Sequence, residues 1–114
     1  MKIIKQIIIK YLQFNEFNIG NVGALYIADS IEYICESENY RKILSNLDKN
    51  VYPIIAERHK VNIDTLKSDI IKATNKAYEN ACVKNINKMI NKSTPKMIIT
   101  KIVYVLKNQS KGVD

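Results

Sequence analysis

The stretch from Tyr52 to Tyr78 constrains this chain more than any other, because it packs two helical apolar patterns against each other with almost no linker between them. Ile54, Ile55 and Ala56 mark the first helix, and Leu66 and Ile70 the second. Between them, Val61-Asn62-Ile63-Asp64-Thr65 reads as a tight turn into a helix, with Asn62 or Asp64 as the N-cap. Two helices joined this closely must cross at short range, and Ala56 is small enough for the crossing. The pattern is that of a helix-turn-helix. Two positions depart from its usual form. Lys60 stands where glycine is common, and Asp69 occupies a position that is often apolar, leaving the anchoring to Ile70.

The rest of the chain is also helical in pattern. Ile3, Ile4, Ile7, Ile8, Tyr11, Leu12 and Phe14 give an amphipathic helix over 2–15. A connection over 15–21 follows, and Asn21 can cap a second helix over 22–36, striped by Ala24, Leu25, Ala28, Ile31 and Cys35. Tyr40, Ile43, Leu44 and Leu47 predict a third helix. It can run on into Ile54–Ala56 with a kink or restart near Val51, since Pro53 removes a backbone donor. Val83, Ile86, Met89 and Ile90 keep helical spacing. Thr94-Pro95 is a helix start, so the β-branched run 97–106 reads as helix rather than strand. Only three glycines and two prolines punctuate 114 residues, too few for a many-turned β fold. The expectation is an all-α, compact bundle of about six helices. Residues 1–108 would form a single helical domain with the helix-turn-helix at about 52–78, and 109–114 a flexible polar tail.

Charge adds direction. The net charge is +7. Through residue 50 the bases Lys2, Lys5, Lys10, Arg41, Lys42 and Lys49 are balanced by Glu16, Asp29, Glu32, Glu36, Glu38 and Asp48. The excess therefore lies in the second half, where 84–111 holds seven lysines and no acid. A one-sided basic surface suits a polyanion, because each neutralised phosphate releases counterions. It equally suits plain solubility.

Catalytic and metal chemistry find little support. His59 is the only histidine and falls at the end of the first helix of the pair, where a partly buried packing role is expected. Cys35 and Cys82 are far apart and make no zinc-binding pattern. There is no phosphate-cradling glycine loop, and the seven tyrosines fall mostly on apolar stripes. No enzyme activity, metal or cofactor is expected. Lys10 interrupts the N-terminal apolar run, no cleavage site follows, and no stretch reaches membrane-spanning length, so a cytoplasmic protein without a membrane partner is expected.

By helical spacing, Thr65, Lys67, Ser68, Lys72 and Lys76 are assigned to the exposed side of the second helix. Thr65, Lys67, Ser68 and Lys72 are the candidates for reading bases of double-stranded DNA. Lys76, Lys84, Lys88, Lys92, Lys96 and Lys101 are the candidates for phosphate contacts. Asp64 and Asp69 lie unfavourably close to them.

At this point the chain resembles a known family, the C-terminal DNA-binding domain of the stage-zero sporulation response regulator. Val51-Tyr52-Pro53-Ile54-Ile55-Ala56-Glu57-Arg58 is similar to its Leu-Tyr-Pro-x-Ile-Ala-Lys-Lys, and an ungapped helix follows to Ala77-Tyr78, where the family has Ala-Trp. Upstream, Gly23-Ala24-Leu25-Tyr26-Ile27 is similar to Gly-Tyr-x-Tyr-Leu; downstream, Lys92-Ser93-Thr94 stands where the family has Lys-Pro-Thr. The resemblance implies a helical domain that binds DNA as a transcriptional regulator. Lys92 matches a family lysine that contacts DNA. The family's base-reading Arg, Glu and Arg, with a following His, are replaced at Thr65, Lys67, Ser68 and Lys72. The target sequence therefore differs, or binding runs mainly through phosphates, or it is reduced. The family's receiver domain has no counterpart before Met1, so the resemblance implies a stand-alone homologue or an isolated domain. A homodimer on DNA and contacts with a host regulator or RNA polymerase are further expectations. The alternatives are a plasmid- or phage-encoded accessory DNA-binding protein, or a protein-interaction antagonist without specific DNA readout.

Overall fold

The computed structural model describes residues 3–84 and 93–112, with side chains through 108. All regular structure among the described residues is helical: α1 (Ile3–Phe14), α2 (Val22–Cys35), α3 (Tyr40–Leu44), α4 (Leu47–Asn50), α5 (Tyr52–His59), α6 (Ile63–Val83) and α7 (Pro95–Gly112). The all-α bundle agrees with the sequence pattern.

The starts of these helices have local causes. The Asn21 side-chain oxygen accepts the Gly23 N–H at 2.9 Å and opens α2. Thr94 Oγ1 accepts the Met97 N–H at 3.2 Å, and Pro95 supplies the first residue of α7. That start settles 97–106 as helix. The helical backbone continues to Gly112 through the polar stretch after 108, and residues 113–114 of the expected tail lie outside the described residues. Ile86, Met89 and Ile90 also lie outside them.

Between residues 40 and 59 the structure departs from a single kinked helix. It breaks twice, giving α3, α4 and α5. Asn46 Oδ1 accepts the Lys49 N–H at 3.2 Å and restarts the chain as α4. Val51 then leaves the helical region at φ −123°, ψ −58°, and Pro53 sits in the first turn of α5, where a missing N–H costs nothing. The Asn50 amide donates to the carbonyls of Lys42 and Ile43, both at 3.3 Å, and so binds α4 back to α3.

The central element is α2, which packs on α1, α5, α6 and α7. Its Ala24, Ile27, Ile31 and Ile34 are fully buried. Each large aliphatic side chain buried this way contributes about 1.5–3 kcal/mol. From α6 come Leu66, Ile70, Ala73 and Ala77; from α7 come Ile99, Ile102 and Val103. The buried serine and threonine hydroxyls are both satisfied within their own helices: Ser30 donates to the Tyr26 carbonyl at 2.8 Å and Thr74 to the Ile70 carbonyl at 2.9 Å.

The closest approach of α2 and α6 is at Gly23. A Cβ there would stand 2.1 Å from the Asp69 carbonyl oxygen and 2.8 Å from the Ala73 Cβ. The obstacle is backbone, so it cannot turn aside. Gly23→Ala is therefore expected to cost at least about 1–3 kcal/mol in urea unfolding. Gly20→Ala would meet only the Asn18 side chain, at 3.2 Å, and should stay within about 0.5 kcal/mol of wild type. Equal midpoints for the two variants would contradict the close crossing.

Candidate nucleic-acid interface

The two helices α5 and α6 meet through a three-residue turn, Lys60-Val61-Asn62. Lys60 adopts the left-handed conformation, φ 56° and ψ 43°. Its N–H reaches the Glu57 carbonyl at 3.2 Å, while the Val61 N–H reaches the Ala56 carbonyl at 3.0 Å. This pair of bonds closes the end of α5 as a Schellman motif. The sequence departure at Lys60 thus falls on the one residue of the turn with positive φ, where glycine avoids a Cβ clash. Asn62, one of the two candidate caps, opens α6: its Oδ1 accepts the Thr65 N–H at 2.7 Å. Val61 packs against the core, and Ala56, Leu66 and Ile70 are buried at the contact of the two helices, as the spacing predicts.

His59 precedes the turn. Its Nε2 lies 2.6 Å from Asp29 Oδ2 on α2, and its ring meets Tyr26 edge-on, 4.9 Å between centroids. Asp29 Oδ1 also pairs with Lys5 of α1. The histidine fastens α5 to α2.

The outer side of α6 carries Thr65, Ser68, Lys72 and Lys76, all exposed. By helical geometry they fall within about 80° of arc. Lys67 does not join them. It lies roughly 160° around the helix from Thr65, is half-buried, and its Nζ stands 3.1 Å from Asp48 Oδ1 of α4. Lys76 pairs loosely with Glu79 at 3.8 Å, and Asp64 is exposed in the first turn.

The phosphate candidates are scattered. Lys84 lies roughly 28 Å along the axis from Thr65 and is bound to Glu16 at 2.7 Å. Lys88 and Lys92 lie outside the described residues. Lys96, in the first turn of α7, donates to the Ser45 carbonyl at 3.4 Å. Lys101 is exposed but stands roughly 140° around α7 from Lys96. Lys96 is brought together with the base-reading candidate Lys67: both line a groove of about 270 Å³ between α4, α6 and the start of α7. Its apolar wall includes Leu47, Tyr52, Ile70 and Pro95. Burial, assisted by the Asp48 charge, pushes the Tyr52 hydroxyl up to about 12, so it stays protonated.

Asp48 has no place among the sequence-derived site residues, where it counts only as one more acid in a balanced half. The Asn46 cap signal was present, but it gains meaning only once α4 is seen as a separate helix. Other chemistry is sparse. Burial pushes the Cys35 thiol up to about 11, Cys82 is exposed, and both are free. No metal-binding group of three or more His, Cys, Asp or Glu exists among the described residues. No helix there is long and apolar enough to cross a membrane.

Relieving the strained turn should stabilise the fold. Lys60→Gly is expected to raise the unfolding free energy by about 0.5–1 kcal/mol, and Lys60→Val to lower it. Thermal melting checks both, and a less stable glycine variant would contradict the left-handed geometry.

No curated protein and no solved structure matches the chain. A family model does, over residues 8–105, and its description is sporulation initiation factor Spo0A, C terminal. With the helical bundle and the α5–α6 pair in place, that match over most of its length shows that the chain belongs to this family.

Proposed function

We propose that this protein binds double-stranded DNA through α5 and α6 and acts as a transcriptional regulator in the cytoplasm. The observation that carries the reading is the α5–turn–α6 unit itself, with α5 closed by Lys60, α6 capped by Asn62, and four polar side chains on the outer side of α6. A helix that buries one side against its own domain and exposes Thr, Ser and Lys on the other can enter a major groove. Thr65 and Ser68 offer hydroxyls to base edges, while Lys72 and Lys76 supply cations to bases or phosphates. Family membership supports the same reading. Lys96, in the first turn of α7, and Lys92, three residues before Pro95 in the sequence, are proposed to hold flanking phosphates, with Lys84, Lys88 and Lys101 adding only a diffuse positive field. The base-reading set as proposed from the structure is Thr65, Ser68 and Lys72. A homodimer on DNA would be set by the half-site spacing of its target.

A second reading is favoured by the acids on this side. Asp64 and Glu79 flank the lysines, and Asp48 occupies Lys67. A protein-interaction antagonist of a host regulator would tolerate such a near-neutral surface better than a strong DNA binder would.

Fluorescence anisotropy with mixed-sequence duplex DNA at low salt separates the two. DNA binding predicts micromolar or tighter affinity that falls with salt. Lys76→Ala should weaken it across sequences and reduce the salt slope by about one unit, while Lys72→Ala should weaken it and relax the preference at one base position. Thr65→Ala with Ser68→Ala should instead alter the ranking of selected sequences. Affinity no tighter than millimolar would overturn the DNA reading, and affinity indifferent to Lys72 would favour the antagonist.

A further inference from the structure

The Asp48–Lys67 pair is placed where it matters for any polyanion approaching α6. Lys67 lies roughly 100° around the helix from Ser68, with the exposed Ile71, one turn on, between it and the outer side. Its flexible four-carbon stem allows the ammonium to reach from α4 toward that side. Asp48 holds it instead, at 3.1 Å, with the carboxylate side chain 66% exposed. An exposed pair of this kind is weak enough to be exchanged for another acceptor. The helix that carries the carboxylate is itself held: Asn46 caps α4, and Asn50 ties α4 to the end of α3. Across the groove Lys96 supplies a second cation, which donates a hydrogen bond to a neutral carbonyl, that of Ser45.

We infer that Asp48 is a specificity-determining residue: it stands in for a nucleic-acid acceptor on Lys67 and releases that lysine only to DNA that presents a phosphate or base oxygen at the same point. The inference rests on the DNA reading above. A duplex that offers the acceptor takes Lys67 over, and the carboxylate turns to solvent. Where the duplex offers none, the lysine stays with Asp48, and the docking protein gains no contact there. An added acid close to the phosphates also repels loosely placed DNA. The pair thus lowers non-specific affinity more than specific affinity, so discrimination comes from a resident competitor rather than an extra contact.

A double-mutant cycle tests this, using anisotropy with a mixed-sequence 20-base-pair duplex and with the duplex that selection from a random pool returns. Asp48→Asn in the wild-type background should tighten binding to the mixed duplex about two- to fivefold, the worth of an exposed ion pair. The gain on the selected duplex should be smaller. In a Lys67→Met background the same substitution should change affinity less than twofold, because the lysine it frees is gone. Asp48→Ser serves as a second variant, and unchanged thermal melting shows that the effect is not one of folding. An equal gain in both backgrounds would make Asp48 a source of diffuse repulsion only and overturn the inference. So would no gain at all, or an equal gain on both duplexes. These outcomes leave the DNA reading intact, whereas absence of binding by all four proteins overturns both.

Discussion

The contact on which the structure turns is the crossing of α2 and α6 at Gly23. With no side chain there, the two backbones come together at Asp69 and Ala73. That approach fixes more than a distance. It commits one side of α6, carrying Leu66, Ile70, Ala73 and Ala77, to the core, and so sets the rotation of α6 about its own axis. Which residues face outward is then no longer free. Thr65, Ser68, Lys72 and Lys76 are presented because Gly23 lets the opposite side sink in.

Much of this was legible in the sequence. Asn21, Asn62 and Thr94-Pro95 signalled helix starts through local chemistry, and the structure uses all three. The apolar stripes of α1, α2, α6 and α7 carried their periodicity over three turns or more, long enough to be read without tertiary information. Residues 40–59 were not so legible. Helices of four, five and eight residues are too short to show a period, and their breaks depend on Asn46 and Asn50 reaching neighbouring backbone. Gly23 reads as neutral in pattern terms, because a glycine in a first turn costs little by itself. Its value lies in what crosses it.

The candidate interface was legible in part. Four of the five residues assigned to the exposed side of α6 share it, since helical geometry alone places them there. Lys67 fails on the same geometry, at roughly 160° from Thr65, and on a partner from α4 that is distant in sequence. Net charge misled in a related way. The chain is strongly basic as a whole, yet the lysines around α6 are largely matched locally, by Asp48 and Glu79, and Lys84 by Glu16. Electrostatic character at a surface is set by neighbours in space, and these acids come from three different segments.

Asp29 joins helices that are far apart in the chain, holding Lys5 from 24 residues before it and His59 from 30 residues after it. The two halves of that junction differ in how the chain reaches them. The connection from α1 to α2 is short, while α5 must come back past α3 and α4. The longer return loses more chain entropy on closing, and little of the path between is rigid on its own, since α3 and α4 together supply only nine helical residues. The turn that leads into α6 is therefore assembled from both directions. Its left-handed corner has local hydrogen bonds, but its position on the domain depends on a carboxylate that α1 helps to hold in place.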